Sequence, residues 1–287
     1  MATFFNQATL SYNGNVRSSN ITSGEIISVL SATKSAVTAT YSTNDDIVFI
    51  ISIVNSGTSA FNGITVTDDL GGYTMPEKAV PVVPLTYVDG SVKYYMNGIA
   101  QAAPAITDTE PLTITGINIP AGGNATIIYA AETNSFAPLA EGSEITNTAE
   151  ISGTGFTAFS ISETITPLST ADLTISKSLS PAAVEENGAI TYTFLIQNFG
   201  SKAAEVSDNV IFADTFTPVL TALTVEYNDT VWTEDTNYTY DETTGEFTSA
   251  AGQITVPAAT YTQDTATGAW SIQPGVSTIK ITGNITL

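Results

Sequence analysis

The 287-residue chain contains no cysteine and no histidine. Without cysteine it has no disulfide framework, thiolate nucleophile or iron–sulfur cluster. Without histidine it lacks the Ser-His-Asp triad and every histidine-based zinc site. A calcium loop of the EF-hand type is also missing. The sequence therefore predicts a protein that is not an enzyme and that needs no metal and no cofactor.

Basic residues are scarce, with 7 Lys and Arg against 28 Asp and Glu, which gives a net charge of −21. A surface this acidic repels phosphate backbones, so we expect no nucleic-acid partner. Hydrophobic residues still make up 43% of the chain, which favours folded cores over disorder,. The length suggests about two domains of ~100–200 residues each.

Long apolar runs are missing too. The best one, Ile47 to Val54, has the length of a strand, whereas a membrane span needs about 18 apolar residues,. We therefore expect no membrane insertion. The segment Met1 to Asn6 has no basic and apolar regions of a signal peptide, so we expect export by another route or after removal of a leader,.

The chain is rich in Thr, Val, Ile and Tyr, in short segments interrupted by Gly, Pro, Asn and Asp. Segments of this kind, repeated roughly every 8–12 residues, are typical of strands. No stretch of normal length has the 3.6-residue period of an amphipathic helix. The predicted fold class is all-β, built from β-sandwiches.

Four short motifs occur twice, in the same order along the chain. They pair Ala32 to Ser35 with Ile175 to Ser178, Ile53 to Gly57 with Ile196 to Gly200, Thr67 to Leu70 with Ala213 to Phe216, and Ile119 to Gly122 with Ile272 to Gly275. The simplest interpretation is two tandem copies of one sandwich.

The second copy lacks the last strand of the first, Glu144 to Ile151. A segment matching that strand, Phe5 to Ser11, instead stands near the N-terminus. We therefore predict a donor strand at residues 1–11, a linker at 12–30, a first sandwich at 31–152, a linker at 153–172 and a second, incomplete sandwich at 173–287.

A sandwich without its last strand has an open edge and a slot in its core. The predicted donor strand has a matching face, formed by Phe4, Asn6, Ala8 and Leu10. Strand addition to a neighbouring copy would give a head-to-tail homopolymer. The alternative is that the strand folds back onto its own second domain, since the linker is long enough.

Strand alternation places one lysine, one aspartate and one asparagine on the inner faces of each sandwich. They are Lys34, Asp68 and Asn147 in the first sandwich, and Lys177 and Asp214, completed by Asn6, in the second. Unpaired buried charges are very unfavourable, so each set should come together. Such a set can form a spontaneous Lys–Asn isopeptide bond, with Asp68 or Asp214 as the proton-shuttling acid. The alternative is a buried hydrogen-bonded cluster without a covalent bond.

The same motifs resemble the surface-repeat domains of Gram-positive bacteria and their isopeptide-forming pilin-like relatives. The resemblance rests on a strand carrying Lys34, the Asn-x-Gly strand ending at Gly57, the Asp68 strand and the Asn-Thr-Ala strand from Asn147. It implies immunoglobulin-like sandwiches in a fibrous surface protein, with Lys34, Asp68 and Asn147 in the linking roles. In the second copy Lys177 and Asp214 match the pattern, and Asn6 stands in for the asparagine.

The sequence thus predicts a structural subunit of a self-assembling fibre on a bacterial cell or spore surface, which Lys–Asn isopeptide bonds could lock. The alternative is a monomeric surface adhesin or carbohydrate-binding module. Residues 228–246 belong to that second hypothesis, because they are acidic and carry Trp232, Tyr238 and Tyr240. A hairpin that buries one aromatic face is the simpler interpretation of this segment.

Overall fold

The computed structural model describes residues 2–75 and 81–285. Within these residues the regular structure is strand, apart from one 3-10 turn at Val206–Asp208. The predicted all-β class is therefore confirmed. In chain order the structure consists of an N-terminal ribbon, a first sandwich and a second sandwich.

The N-terminal ribbon, residues 2–26, consists of β1 (Ala2–Asn6), β2 (Thr9–Tyr12), β3 (Asn15–Ser18) and β4 (Thr22–Ile26). β1 pairs antiparallel with β4, and β2 pairs antiparallel with β3 around a turn at Asn13 and Gly14. Both turn residues have positive φ, as a tight two-residue hairpin requires,. Nearly every described side chain of the ribbon is exposed.

The described part of the first sandwich contains fourteen strands. They are β5 (Leu30–Ala36), β6 (Thr40–Tyr41), β7 (Asp46–Asn55), β8 (Phe61–Asp68), β9 (Tyr73–Thr74), β10 (Pro81–Val82), β11 (Leu85–Tyr87), β12 (Lys93–Met96), β13 (Ile99–Ala100), β14 (Ala105–Thr109), β15 (Leu112–Ile119), β16 (Asn124–Thr133), β17 (Ile145–Ser152) and β18 (Phe159–Pro167). One sheet has the order β13-β12-β16-β7-β5, and the other has the order β14-β15-β8-β17-β18-β6.

Alternate residues of both sheets form the core between them, as the burial of every second residue in β7 and β16 shows. The large side chains at its centre include Phe49, Tyr129 and Ile51, all fully buried. Such period-2 burial follows from the pleat of a strand with one face on the core.

In the second sandwich the residues up to 285 form ten strands. They are β19 (Leu173–Ser180), β20 (Ala189–Asn198), β21 (Ala213–Thr215), β22 (Leu220–Tyr227), β23 (Thr230–Val231), β24 (Tyr238–Tyr240), β25 (Glu246–Ser249), β26 (Thr260–Gln263), β27 (Trp270–Gln273) and β28 (Gly275–Ile285). One sheet has the order β19-β20-β28-β22-β23 and faces the short sheet β21-β25-β24, while β26 and β27 form a separate hairpin.

The internal repeat is visible in an asparagine clamp at the same place in both sandwiches. The Asn55 amide donates to the carbonyls of Ser59 and Pro120, and its oxygen accepts the Gly57 N–H. The Asn198 amide does the same with the Lys202 and Pro257 carbonyls, and its oxygen likewise accepts a glycine N–H two residues later. Each clamp ties a core strand to two loops, which explains the repeated Asn-x-Gly motif.

Three segments differ from the sequence-based boundaries. β18 lies in the segment predicted as a linker at 153–172, and it pairs along its length with β17. The predicted linker at 12–30 contains β3 and β4. The predicted donor strand is interrupted at Gln7 and Ala8, between β1 and β2. β3 and β4 carry mostly exposed residues, and Glu163 interrupts the apolar alternation of β18, so hydrophobic alternation alone did not indicate these pairings.

Candidate functional site

A lysine, an aspartate, a tyrosine and an asparagine form one buried network across the first sandwich. Lys34 Nζ donates to Asp68 Oδ2 over 2.7 Å. The Tyr129 hydroxyl donates to the same carboxylate oxygen over 2.6 Å, and the Asn147 amide donates to the Tyr129 hydroxyl over 3.0 Å. The side chains of Lys34 and Asp68 are completely buried.

Strand alternation explains why these polar groups point inward. Lys34 on β5 lies on the same face as the buried Leu30, and Asn147 on β17 lies on the same face as Ile145. Asp68 ends β8, which alternates in the same way. The predicted burial of Lys34, Asp68 and Asn147 is therefore confirmed, while their chemical role stays a prediction.

Burial shifts the pKa values of two groups in this network. Desolvation lowers the pKa of the Lys34 amine below its usual value of 10.5, although the neighbouring Asp68 carboxylate opposes the shift,. Desolvation also raises the pKa of the Tyr129 hydroxyl well above 10.0, and the negative charge of Asp68 adds to the effect. Burial therefore makes the Lys34 ammonium easier to deprotonate than an exposed lysine, and it keeps the Tyr129 hydroxyl protonated,.

The sequence did not identify Tyr129 as part of this site. Its position on the inner face of β16 follows from alternation with Ala125, Ile127 and Ala131. Asn147 contacts the hydroxyl of Tyr129 rather than the carboxylate of Asp68, and its buried side-chain oxygen has no hydrogen-bond partner among the described residues. The tyrosine thus stands between the acid and the carboxamide in the first sandwich.

The second sandwich has the equivalent lysine and aspartate, but they are open to solvent. Lys177 Nζ donates to Asp214 Oδ2 over 2.5 Å, and the two side chains are 41% and 20% exposed. Three aromatic rings surround the ammonium, with centroids 4.7 Å away at Tyr192 and 5.3 Å away at Phe194 and Phe216. Cation–π attraction and the carboxylate together hold Lys177 in one orientation.

A groove of about 520 Å³ runs along this ion pair. Its walls are β19 and the chain from Val210 to Asp214, and its apolar lining includes Leu173, Ile175, Phe194 and Phe212. Among the described residues β19 pairs only with β20, and β21 pairs only with β25. Both walls of the groove therefore present an unpaired strand edge.

The equivalent place in the first sandwich is filled. β8 pairs with β17 through Asp68 opposite Ala149, and β17 carries Asn147 into the network. β18 continues the sheet and packs against β5. The groove of the second sandwich is thus the space that β17 and β18 occupy in the first.

Strand register shows one further difference between the two networks. Tyr129 lies opposite Phe49 in the first sandwich, and the equivalent pair in the second is Ile281 opposite Tyr192. The hydroxyl that separates Asp68 from Asn147 therefore has no counterpart on β28. An asparagine entering the groove would meet Asp214 without an intervening tyrosine.

Asn6 does not complete the second network within the single chain. It lies in the exposed N-terminal ribbon, opposite Thr22. The predicted burial of Lys177 and Asp214 is accordingly not reached, because no strand in the described part of the chain covers the groove. Phe4, Ala8 and Leu10, the other residues of the predicted donor face, are exposed as well.

The other candidate sites are not supported. Trp232 and Tyr238 are buried in the core of the second sandwich, and the Tyr240 hydroxyl donates to the Leu220 carbonyl. Within residues 2–75 and 81–285 there is no group of three acidic side chains placed to hold a metal ion. The same residues include no helix that is long and apolar enough to cross a membrane.

Comparisons with known proteins find likeness only in structure. No family model and no curated protein matches the chain. A variant of the major pilin subunit of Bacillus cereus matches 86% of this chain and 65% of its own, with 12% identity and a TM-score of 0.38. The pilus backbone of Streptococcus pneumoniae matches 85% of this chain and 55% of its own, with 12% identity and a TM-score of 0.33.

A collagen-binding domain from a Staphylococcus aureus adhesin matches 50% of this chain and 99% of its own, with 14% identity and a TM-score of 0.31. The chain thus spans less than two thirds of the length of both pilin chains. These are the kinds of surface protein that the sequence motifs resemble, and the likeness concerns the fold alone.

The Asp68→Asn variant is expected to lose about 3–5 kcal/mol of stability, because it leaves the Lys34 ammonium buried without its counter-charge. Urea unfolding of the first sandwich measures this loss. Adding Lys34→Met should recover most of it, since no charge then remains buried. As a control, Asp229→Asn removes the exposed partner of Lys280, which lies at the same 2.7 Å, and should leave the midpoint unchanged,. Wild-type stability in Asp68→Asn would contradict the role of the pair.

The stability advantage of the wild type over Tyr129→Phe is expected to shrink as pH rises above about 10. The folded hydroxyl has the raised pKa, so it keeps its proton where the unfolded chain loses it. By linkage, this contribution to stability is complete below the unfolded pKa and is lost as pH rises toward the folded value. Urea unfolding of both proteins from about pH 8 to pH 11 tests this, and a constant difference would contradict it.

Proposed function

We propose that this protein is a structural subunit of a fibre, in which the N-terminal strand of one copy closes the second sandwich of the next. The observation that carries the proposal is the open groove beside Lys177 and Asp214, at the place where β17 closes the first sandwich. A groove between two free strand edges is the receptor that strand addition requires.

The sequence of the proposed donor matches that of β17 at each inward-facing position. Phe4, Asn6, Ala8 and Leu10 correspond in sequence to the inward-facing residues of β17, which are Ile145, Asn147, Ala149 and Ile151. Phe4 and Leu10 are exposed large hydrophobic residues in the single chain. Burying each of them in a neighbour would contribute about 1.5–3 kcal/mol.

The geometry of this contact favours a polymer. Donor and acceptor are different surfaces of the same chain, so the contact is heterologous and repeats from copy to copy unless it closes into a ring. Closure of the strand onto its own groove is the competing arrangement. Since the ribbon side chains are exposed in the structure, the single chain has both surfaces available.

We further propose that Lys177 and Asn6 can form an isopeptide bond between copies. The Lys177 amine would form a bond to the Asn6 side-chain carbon, the carbon–nitrogen bond of the carboxamide would break, and ammonia would leave. Asp214, 2.5 Å from the amine, would take the amine proton and pass it to the leaving nitrogen,. Lys34, Asp68 and Asn147 would undergo the same reaction within the first sandwich.

A bacterial cell or spore surface is the proposed location. The kinds of protein that share this fold include surface pilins, and covalent amides tolerate a reducing or oxidising exterior equally. The net charge of −21 would keep assembled fibres apart and soluble,. In this role the protein has a structural function and no substrate.

A monomeric surface adhesin is the second candidate. The open groove favours it as well, because an extended foreign peptide could add as a strand in the same place,. The burial of Trp232 and Tyr238 counts against a carbohydrate site at residues 228–246. The two candidates differ in whether assembly depends on residues 4–10 of this chain.

The Leu10→Lys variant is expected to abolish filament formation, because it places a charge on the face that enters the apolar groove. Negative-stain electron microscopy and sedimentation of purified protein measure the outcome. The matched control is Ser11→Lys, which adds the same charge to the opposite face of the same strand and should still assemble. Circular dichroism checks that both variants stay folded.

Two outcomes would contradict strand donation. One is that Leu10→Lys and Ser11→Lys assemble alike. The other is that folded wild-type protein stays monomeric at every concentration, which would leave the adhesin hypothesis or closure of the chain on itself.

The covalent link predicts filaments that resist SDS as a ladder of bands, with intact masses lower by one ammonia for each bond. Lys177→Met should abolish the ladder, because it removes the nucleophile while keeping an unbranched side chain. Lys280→Met, which changes an exposed lysine of the same sandwich, should keep it. Filaments that dissolve in SDS to monomers of full mass would exclude the bond between copies and leave strand donation intact.

A further inference from the structure

We infer that the element passed from copy to copy is the whole N-terminal ribbon, residues 2–26, docking as a preformed pair of strands rather than as one strand. This inference rests on the fibre proposed above. It specifies which surface of the neighbour each half of the ribbon covers.

The first sandwich shows that closure requires two strands. β17 pairs with the edge of β8 and supplies Asn147. β18 pairs with β17 and packs against β5, and its Ile165 and Pro167 are buried. The first strand therefore forms hydrogen bonds with the edge of β8, and the second covers β5, the strand that carries Lys34.

Both surfaces are uncovered in the second sandwich. In the part of the chain that the structure describes, β21 has a free edge at the position where β8 pairs with β17 in the first sandwich. β19, the counterpart of β5, is exposed at every residue, and its Ile175 is 55% exposed. A single donated strand would pair with β21 and leave the apolar residues of β19 in water. A two-stranded ribbon covers both.

The ribbon already has the register of the β17–β18 hairpin. Asn6 lies opposite Thr22 in the ribbon, and Asn147 lies opposite Glu163 in the first sandwich. The number of residues between the asparagine and the residue opposite it is therefore the same in the ribbon and in the β17–β18 hairpin. Near the turn the ribbon is one residue shorter, since Leu10 faces Arg17 where Ile151 faces Phe159.

The ribbon also holds itself together across the interruption at Gln7 and Ala8. The Ser19 N–H donates to the Ala8 carbonyl over 2.8 Å, and the Ser19 hydroxyl accepts the Ala8 N–H over 2.9 Å. The Gln7 side chain donates to the Ser19 carbonyl over 2.8 Å. These bonds make one continuous ribbon from two short strand pairs.

Gly24 has a specific part in this ribbon. The Phe4 ring lies directly over it, so close that a β-carbon at position 24 would stand 2.4 Å from the ring. An aromatic ring packed on a cross-strand glycine supports the pairing of both strands. Because the strand pair exists before docking, association does not have to order it, which lowers the entropic cost of assembly.

A disulfide staple across the ribbon tests this inference. Thr3 faces Glu25 and Thr9 faces Ser18, on the face of the ribbon away from Asn6. Directly opposed antiparallel residues have α-carbons about 4.5–5.5 Å apart, within the range of a disulfide. The chain has no cysteine of its own, so the intended bond is the only disulfide that can form within one copy of Thr3→Cys/Glu25→Cys or Thr9→Cys/Ser18→Cys. Single-cysteine variants are the controls.

Each double variant is assembled in oxidised form, with thiol loss confirmed, and again with dithiothreitol, and filaments are measured by sedimentation and electron microscopy. If the ribbon docks intact, oxidised and reduced protein assemble to the same extent. If oxidised protein stays monomeric and reduction restores filaments, one strand must leave the other and the inference is wrong. Failure of the unmodified protein to form filaments would instead overturn the fibre itself.

Discussion

A charged amine can lie inside a β-sandwich only opposite a carboxylate and under a cover that excludes water. The first sandwich meets both conditions, with Asp68 opposite Lys34 and with β17 and β18 as the cover. This requirement accounts for the residues found on β5 and β8, which carry the ion pair, and on β17 and β18, which cover it. It also explains why a polar cluster lies at the centre of a core that is otherwise aromatic and aliphatic.

The second sandwich keeps the ion pair, but no strand within residues 2–75 and 81–285 covers it. Its lysine stays in place through Asp214 and three aromatic rings, so the site is organised before any partner arrives. Ile281 in place of Tyr129 alters what a partner would meet there. The two halves of the chain thus use one architecture for two states, one closed within the chain and one open at its surface.

Strand alternation was enough to predict the burial of Lys34, Asp68 and Asn147, because a period of two residues fixes the inner face once its apolar residues are known. Tyr129 was missed because an inward tyrosine among alanines and isoleucines is ordinary core composition. β18 was missed because Glu163 interrupts its apolar alternation, and the pairing of the N-terminal ribbon because exposed polar strands carry no such pattern. A buried lysine requires a strand that covers it, and this requirement alone predicts a strand at the position of β18.

The asymmetry between the ribbon and the groove has a directional consequence. In the proposed fibre one end would present an unoccupied ribbon and the other an unoccupied groove, so the fibre would be polar. Growth and attachment at the two ends would then require different partners, one shaped like a sandwich edge and one shaped like a strand pair with an asparagine. A single foreign protein that offers only one of these surfaces would start or stop the polymer without sharing any other part of its structure.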